Sequence, residues 1–184
     1  PLYSSAASDV YKRQVPGIDS FREKFKDYTD YYTIIGGTAC DILLSEADLP
    51  FRATKDIDMI LIMEDNFPEF ASVFWEYIKE GGYKCGWKNE QNMHFYSFTE
   101  GKFGYPTMIE LFSRKPGYHL EIEEGIIPIH IDDDTSSLSA ILLNDDFYKF
   151  MMSGRRVVDG IGVLGAEHLI PVSYTHLTLP PNRE

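Results

Sequence analysis

The chain has 184 residues, of which 43% are hydrophobic and 25% are charged, as in folded globular domains rather than disordered chains. Its formal net charge of −12 argues against a diffuse basic surface that binds nucleic acid unaided. The longest apolar run covers residues 59–63, far short of the ~20 residues that span a bilayer, so we expect no membrane partner. Cys40 and Cys85 form no C-x-x-C pair, which indicates a reducing cytoplasm and excludes a four-cysteine zinc site.

The two ends differ in pattern from the interior. Residues 1–14 (PLYSSAASDVYKRQ) and 172–184 (VSYTHLTLPPNRE) resemble translated sequencing-adapter sequence, as found at the edges of metagenomic reading frames. We therefore expect an artefactual or disordered leader and tail, and exclude both from fold reasoning. The remaining residues 15–171 are predicted to form one domain, incomplete at its C-terminus.

Hydrophobic periodicity predicts helices and strands that alternate through the first half of this domain. In chain order the predictions are a helix over 21–28, a strand over 31–35, a helix over 38–47, a strand over 56–63 and a helix over 66–80.

The second half is predicted to be richer in strands. They cover residues 83–87, 94–98, 107–112 and 126–131, and the first three are predicted to be antiparallel neighbours. A helix capped by Thr135 or Ser136 is predicted to run toward Met151 or Met152, before a hairpin over 157–163 that turns at Asp159-Gly160. This order predicts an α+β (mixed α/β) domain with helices packed on a small mixed sheet.

A pair of aspartates begins the predicted strand 56–63. Alternate residues of a strand share a face, so Asp56 and Asp58 project together, ~6.6 Å apart, while Ile57 and Met59 project to the other face. Adjacent carboxylates repel each other unless a cation lies between them, and Mg²⁺ often joins such carboxylates to substrate phosphates. The pair therefore indicates Mg²⁺ ligands, although an ordinary solvated strand end gives the same pattern.

Glycines and basic residues accompany this acid pair. Gly36 and Gly37 join a predicted buried strand to a helix start, where the backbone can approach a ligand and free N–H groups can bind phosphate. Thr38 is expected to cap that helix or to contact the phosphate. Arg52 and Lys55 are placed to hold a triphosphate. Alone these are turn and loop residues, but in this order beside the acids they favour nucleotidyl transfer.

The run GGTA followed by RATKDIDMIL resembles the nucleotidyltransferases of the AbiEii/AbiGii toxin family, within the polymerase-beta-like superfamily. The resemblance extends to SSLSAILLNDDFY and GAEHLIP, and thus covers most of residues 15–171. It implies a polymerase-beta-like nucleotidyltransferase fold and Mg²⁺-dependent transfer of a nucleoside monophosphate from an NTP to an acceptor, which is tRNA in some members. It also implies a toxin role in a bacterial toxin–antitoxin or phage-defence pair, with a cognate antitoxin as partner.

The superfamily implies a third acid on a neighbouring strand, and Glu110 is our candidate. It is the lone charge in the apolar strand 107–112, where an unpaired buried carboxylate would be costly unless a metal or a basic partner relieved it. The alternative is a glutamate on an edge strand that faces water or pairs with Arg114. In the family a helix with a lysine and further acids follows the L-I-P segment. Here the residues after Pro171 do not match it, which leaves the activity of this fragment open.

Two other functions fit the same residues. One is a non-catalytic binding or regulatory protein that keeps the nucleotidyltransferase fold. The other is a nucleotidyltransferase that acts on a small molecule such as an aminoglycoside, whose positive charge would suit the acidic chain. Mg²⁺-dependent NTP binding is expected of both enzymes but not of a pure binding protein.

Overall fold

The structure is a computed structural model that describes residues 15–49, 54–62, 67–88, 93–114, 126–129, 138–143 and 145–169. The predictions for residues 1–14, for Arg52 and for residues 172–184 lie outside the described residues. The helices are α1 (Ile18–Phe25), α2 (Gly36–Glu46), α3 (Phe67–Gly81) and α4 (Asp145–Ser153), with a 3₁₀ helix (Lys26–Tyr31) directly after α1. The strands are β1 (Tyr32–Ile35), β2 (Asp56–Leu61), β3 (Lys84–Lys88), β4 (Met93–Thr99), β5 (Met108–Arg114), β6 (Ile126–Ile129), β7 (Leu138–Leu143), β8 (Arg155–Val158) and β9 (Ile161–Leu164).

The strands form one mixed sheet in the order β3-β4-β5-β2-β1-β9-β8. β2 is antiparallel to β1 and parallel to β5, and β1 is parallel to β9. β5 shares its other edge between two strands: its first half pairs with β4 and its second half with β7, which in turn pairs with β6. The predicted α+β class is therefore confirmed, with a larger sheet than the small one expected.

The core on one face of the sheet is built largely from aromatic side chains. Tyr32 of β1 contacts Phe21 of α1 edge to face, with ring centroids 5.4 Å apart, and stacks on Phe70 of α3 at 6.2 Å. Phe98 of β4 contacts Phe74 of α3 edge to face, with ring centroids 5.4 Å apart. The apolar residues of α1 and α3 recur at helical spacing, so each helix buries one stripe against the strands. These two helices therefore cover one face of the sheet.

Several predicted elements are confirmed, with ends that differ by a few residues. β3, β4 and β5 are antiparallel neighbours, as predicted. β8 and β9 form the predicted hairpin, in which Asp159 and Gly160 have φ of 48° and 73°. Positive φ at both central residues is the geometry of a type I′ turn, which Asp-Gly favours.

The helix predicted toward Met151 or Met152 from Thr135 or Ser136, which lie outside the described residues, is wrong over residues 138–143. Residues 138–143 form β7, parallel to β5, and helix α4 begins only at Asp145. The run LSAILL is short and apolar, so its periodicity fits a buried strand as well as a helix. Pairing with the second half of β5 decides between them.

Within the described ranges, no helix is both long enough and apolar enough to cross a membrane.

Candidate functional site

The acid pair at the start of β2 has the predicted alternation. Ile57 and Met59 are fully buried, whereas Asp56 and Asp58 are partly exposed on the opposite face. Met59 is paired with Ile34, which shares a face with the aromatic residue Tyr32. The two aspartates therefore lie on the face of the sheet opposite α1 and α3.

Glu110 lies beside this pair. The parallel register of β2 and β5 aligns Glu110 with Asp58, so the two side chains project from neighbouring strands to the same face. Burial raises the pKa of Glu110, and the negative charges of Asp58 and Asp56 raise it further. A hydrogen bond from the hydroxyl of Ser97, its partner on β4, partly offsets this rise. The structure thus brings three carboxylates together.

The alternative placement of Glu110 on an edge strand is wrong. β5 lies inside the sheet, with β2 on one side and β4 and β7 on the other. Arg114 is four residues farther along the strand, a separation of ~13 Å at 3.3 Å per residue. Its guanidinium lies 5.6 Å from the ring centroid of Tyr148 in α4.

The glycine motif meets the carboxylates at the end of β1. Ile35, the last residue of β1, pairs with Asp58, and α2 begins at the next residue, Gly36. Gly36 has φ of 67°, and a Cβ atom there would lie 2.7 Å from Oδ2 of Asp58. Only glycine adopts this conformation without strain while leaving room for the carboxylate. The first turn of α2, with its free N–H groups, therefore begins against Asp58.

Thr38 does not occupy the helix N-cap position that was one of its two predicted roles. α2 begins two residues before it, so Thr38 is not the helix N-cap. Its side chain is buried, and its hydroxyl donates to the backbone carbonyl of Asp56 and shares a 2.9 Å hydrogen bond with the hydroxyl of Thr54. Thr38 thus ties the first turn of α2 to the start of β2. A contact between Thr38 and a phosphate remains a prediction.

The backbone of Lys55 links the two acid-bearing strands. Its carbonyl accepts a 2.8 Å hydrogen bond from the N–H of Thr107, the residue before β5. Its side chain is exposed at the same end of the sheet as Asp56. Lys55 is therefore available to an anionic ligand at this end.

The carboxylates at this end of the sheet offer oxygen donors of the kind that Mg²⁺ prefers. Among the described residues, no three His, Cys, Asp or Glu side chains form a group that could hold a metal by themselves. Mg²⁺ in phosphoryl-transfer sites is commonly held by one or two carboxylates together with substrate phosphates, rather than by an all-protein cage. Asp56 and Asp58 fit that partial donor set.

Two residues of this site, Ser97 and Thr54, were not predicted from the sequence. Ser97 hydrogen-bonds Glu110, and Thr54 hydrogen-bonds Thr38. The only signal for Ser97 is a small polar residue between aromatic ones in a strand, and Thr54 has no signal beyond its closeness to Asp56. Both contacts depend on the register of the sheet and on its loops.

No protein-family model, curated protein or solved structure matches this chain. A fold class alone does not specify an activity. The function must therefore be inferred from the carboxylates, the glycine-led helix and the lysine that meet at one end of the sheet.

Proposed function

We propose that the chain carries a polymerase-beta-like nucleotidyltransferase domain that uses Mg²⁺ to transfer a nucleoside monophosphate from an NTP to an acceptor hydroxyl. The observation that carries the proposal is the meeting of Asp56, Asp58 and Glu110 on one face, where α2 begins at Gly36 against Asp58. Oxygen ligands beside the N-terminus of a helix are what the transfer of a nucleotide requires.

Each residue then has a distinct role. Asp56 and Asp58 would hold Mg²⁺, which supplies positive charge that stabilises the α-phosphate and orients the acceptor hydroxyl. The N–H groups of the first turn of α2 would bind phosphate oxygens, because these N–H groups have no acceptor within the helix. Lys55 would add a flexible positive charge. The matching role of Arg52 follows from the sequence alone.

The proposed transfer is a single displacement at the α-phosphorus. The acceptor oxygen forms a bond to the α-phosphorus, the bond to the bridging oxygen breaks, and pyrophosphate leaves. Glu110 is the proposed acceptor of the hydroxyl proton, because its carboxylate projects beside Asp58 on the same face of the sheet. Ser97 would keep the Glu110 carboxylate oriented through its hydrogen bond.

The acceptor and the biological setting are proposed from the resemblance. It favours an RNA acceptor such as tRNA, and a cytoplasmic toxin controlled by a cognate antitoxin. Because the net charge is −12, RNA would have to bind through local basic residues and metal ions rather than through a broadly basic surface.

The test is label transfer by the full chain. The protein is incubated with Mg²⁺, each α-labelled NTP in turn and total bacterial RNA, and the Asp58→Asn variant is compared with Asp145→Asn. Both variants lose one negative charge, but Asp145 is exposed in the first turn of α4. We expect Asp58→Asn to lower the rate by at least about a hundredfold and Asp145→Asn to leave it unchanged. Equal rates in both variants would overturn the assignment of Asp58.

The rival functions give different results in the same experiment. If the label enters an added aminoglycoside but not RNA, the acceptor is a small molecule. If NTP binding does not depend on Mg²⁺ and no label is transferred, a non-catalytic protein with this fold is favoured. Circular dichroism of each variant separates loss of activity from loss of fold.

A further inference from the structure

A cavity of about 410 Å³ lies away from the carboxylate site, between α1, α2 and the β8–β9 turn. Its volume is within the range of small-molecule sites. Asp41, on its α2 wall, lies five residues after Gly36, or ~7.5 Å along the helix axis. The cavity thus shares a helix with the candidate active site but does not include any of its residues.

The cavity wall combines an apolar surface with a buried carboxylate. Ile18, Ile42 and Val158 supply apolar surface from three different elements. Asp41 is only 4% exposed and lines the same space. A buried carboxylate is costly unless a positive charge or several hydrogen bonds compensate it.

The charged neighbours of Asp41 are already engaged with one another. Arg22 forms ion pairs with Asp19 and with Asp159, the latter at 3.1 Å. Glu46 pairs with Arg156 at 2.9 Å. Among the described residues, Asp41 forms no ion pair with a lysine or arginine, and its carboxylate accepts a hydrogen bond from the backbone N–H of Val15. Burial accordingly raises its pKa.

The geometry points to a binding site for an aliphatic polyamine in this cavity. One ammonium group would pair with Asp41, and the methylene chain would lie along Ile18, Ile42 and Val158. The net negative charge of the described lining residues would attract a second ammonium group. An anion is disfavoured, since the lining holds four carboxylates against one arginine, which is itself paired.

The test measures binding of spermidine to the full chain by isothermal titration calorimetry, at fixed ionic strength and without Mg²⁺. We expect saturable binding that Asp41→Asn weakens at least tenfold. Asp145→Asn removes the same charge from an exposed position on α4 and is expected to leave the affinity unchanged. Equal weakening in the two variants, or no saturable binding to the unaltered chain, would overturn the proposal.

A second pair of variants protects the test against a folding defect in Asp41→Asn. Ser45→Lys adds an ammonium group to the cavity wall, whereas Ser72→Lys adds one to the exposed side of α3. Only Ser45→Lys is expected to abolish spermidine binding, and equal effects of the two would also overturn the proposal. Asp58→Asn is expected to bind spermidine normally, so failure of this proposal and failure of the proposed transferase are distinguishable.

Discussion

The two faces of the sheet near β1 and β2 carry different side chains, aromatic on one face and carboxylate on the other. On one face, Tyr32 and its aromatic neighbours from α1 and α3 are buried and contact one another several times over. On the other face, Asp58 and Glu110 project side by side, and burial raises the pKa of Glu110. Burial of the aromatic side chains stabilises the fold, whereas burial of a carboxylate beside another carboxylate destabilises it. Carboxylates placed side by side in this way are typical of sites adapted to a ligand rather than to stability.

The largest difference is expected from the aromatic face. Phe25 is fully buried and contacts several rings, among them Phe21 at 4.6 Å and Tyr77 at 5.2 Å between centroids. We expect Phe25→Ala to lower the free energy of unfolding by about 3–5 kcal/mol, measured by urea denaturation, because it removes a large side chain and leaves a cavity. Phe103→Ala is the control, since Phe103 is fully exposed, and should change it by less than about 0.5 kcal/mol. A similar loss in both variants would contradict this description of the core.

A smaller effect on stability is expected at Gly36, which lies against Asp58. Gly36 and Gly82 share the same φ of 67°, but a Cβ at Gly36 would meet Oδ2 of Asp58, whereas one at Gly82 meets nothing within 4 Å. Gly82→Ala should therefore report only backbone strain, about 1–2 kcal/mol. Gly36→Ala should cost more in urea denaturation, because the carboxylate must also move. Equal losses would mean that Asp58 does not lie against Gly36.

The smallest effect is expected from two buried threonines. Thr38 is 1% exposed and its hydroxyl is hydrogen-bonded to Asp56 and Thr54. Thr33 is 0% exposed, and its hydroxyl has no hydrogen-bond partner among the described residues.

Thr38→Val should lower the free energy of unfolding by about 1–2 kcal/mol, because the carbonyl of Asp56 and the hydroxyl of Thr54 both lose their hydrogen bond to Thr38. Thr33→Val should be neutral or stabilising, because it removes a buried hydroxyl that gains no hydrogen bond. Thermal denaturation of the two variants side by side is sufficient. Destabilisation by Thr33→Val as large as that by Thr38→Val would contradict the assigned hydrogen bonds.

The sequence predicted the local features of the site better than its assembly. That Asp56 and Asp58 share a face follows from alternation alone, because Ile57 must be buried. That Glu110 lies beside Asp58 could not be derived from the residues, because it depends on the parallel register of two strands separated by α3, β3 and β4. The resemblance suggested a third acid, but only the register of the sheet aligns Glu110 with Asp58.

The errors have the same physical origin. Residues 138–143 were predicted as helix because a short apolar run fits both periods, and a partner strand far away in the sequence decides the outcome. Thr38 was expected to cap the helix or to contact a phosphate, and only the first of these is contradicted. α2 instead begins at the first glycine, and Thr54, from the loop before β2, provides a partner that the pattern does not reveal.

The pairing of β1 with β9 has a consequence for synthesis on the ribosome. One edge of β1 is completed early by β2, but the other pairs with β9, through Ile34 and Val163. A nascent chain that has not yet reached β9 therefore presents the apolar strand β1 with one edge unpaired. Such an edge is a template for pairing with other chains. Pairing with the β8–β9 hairpin removes this template from the finished fold.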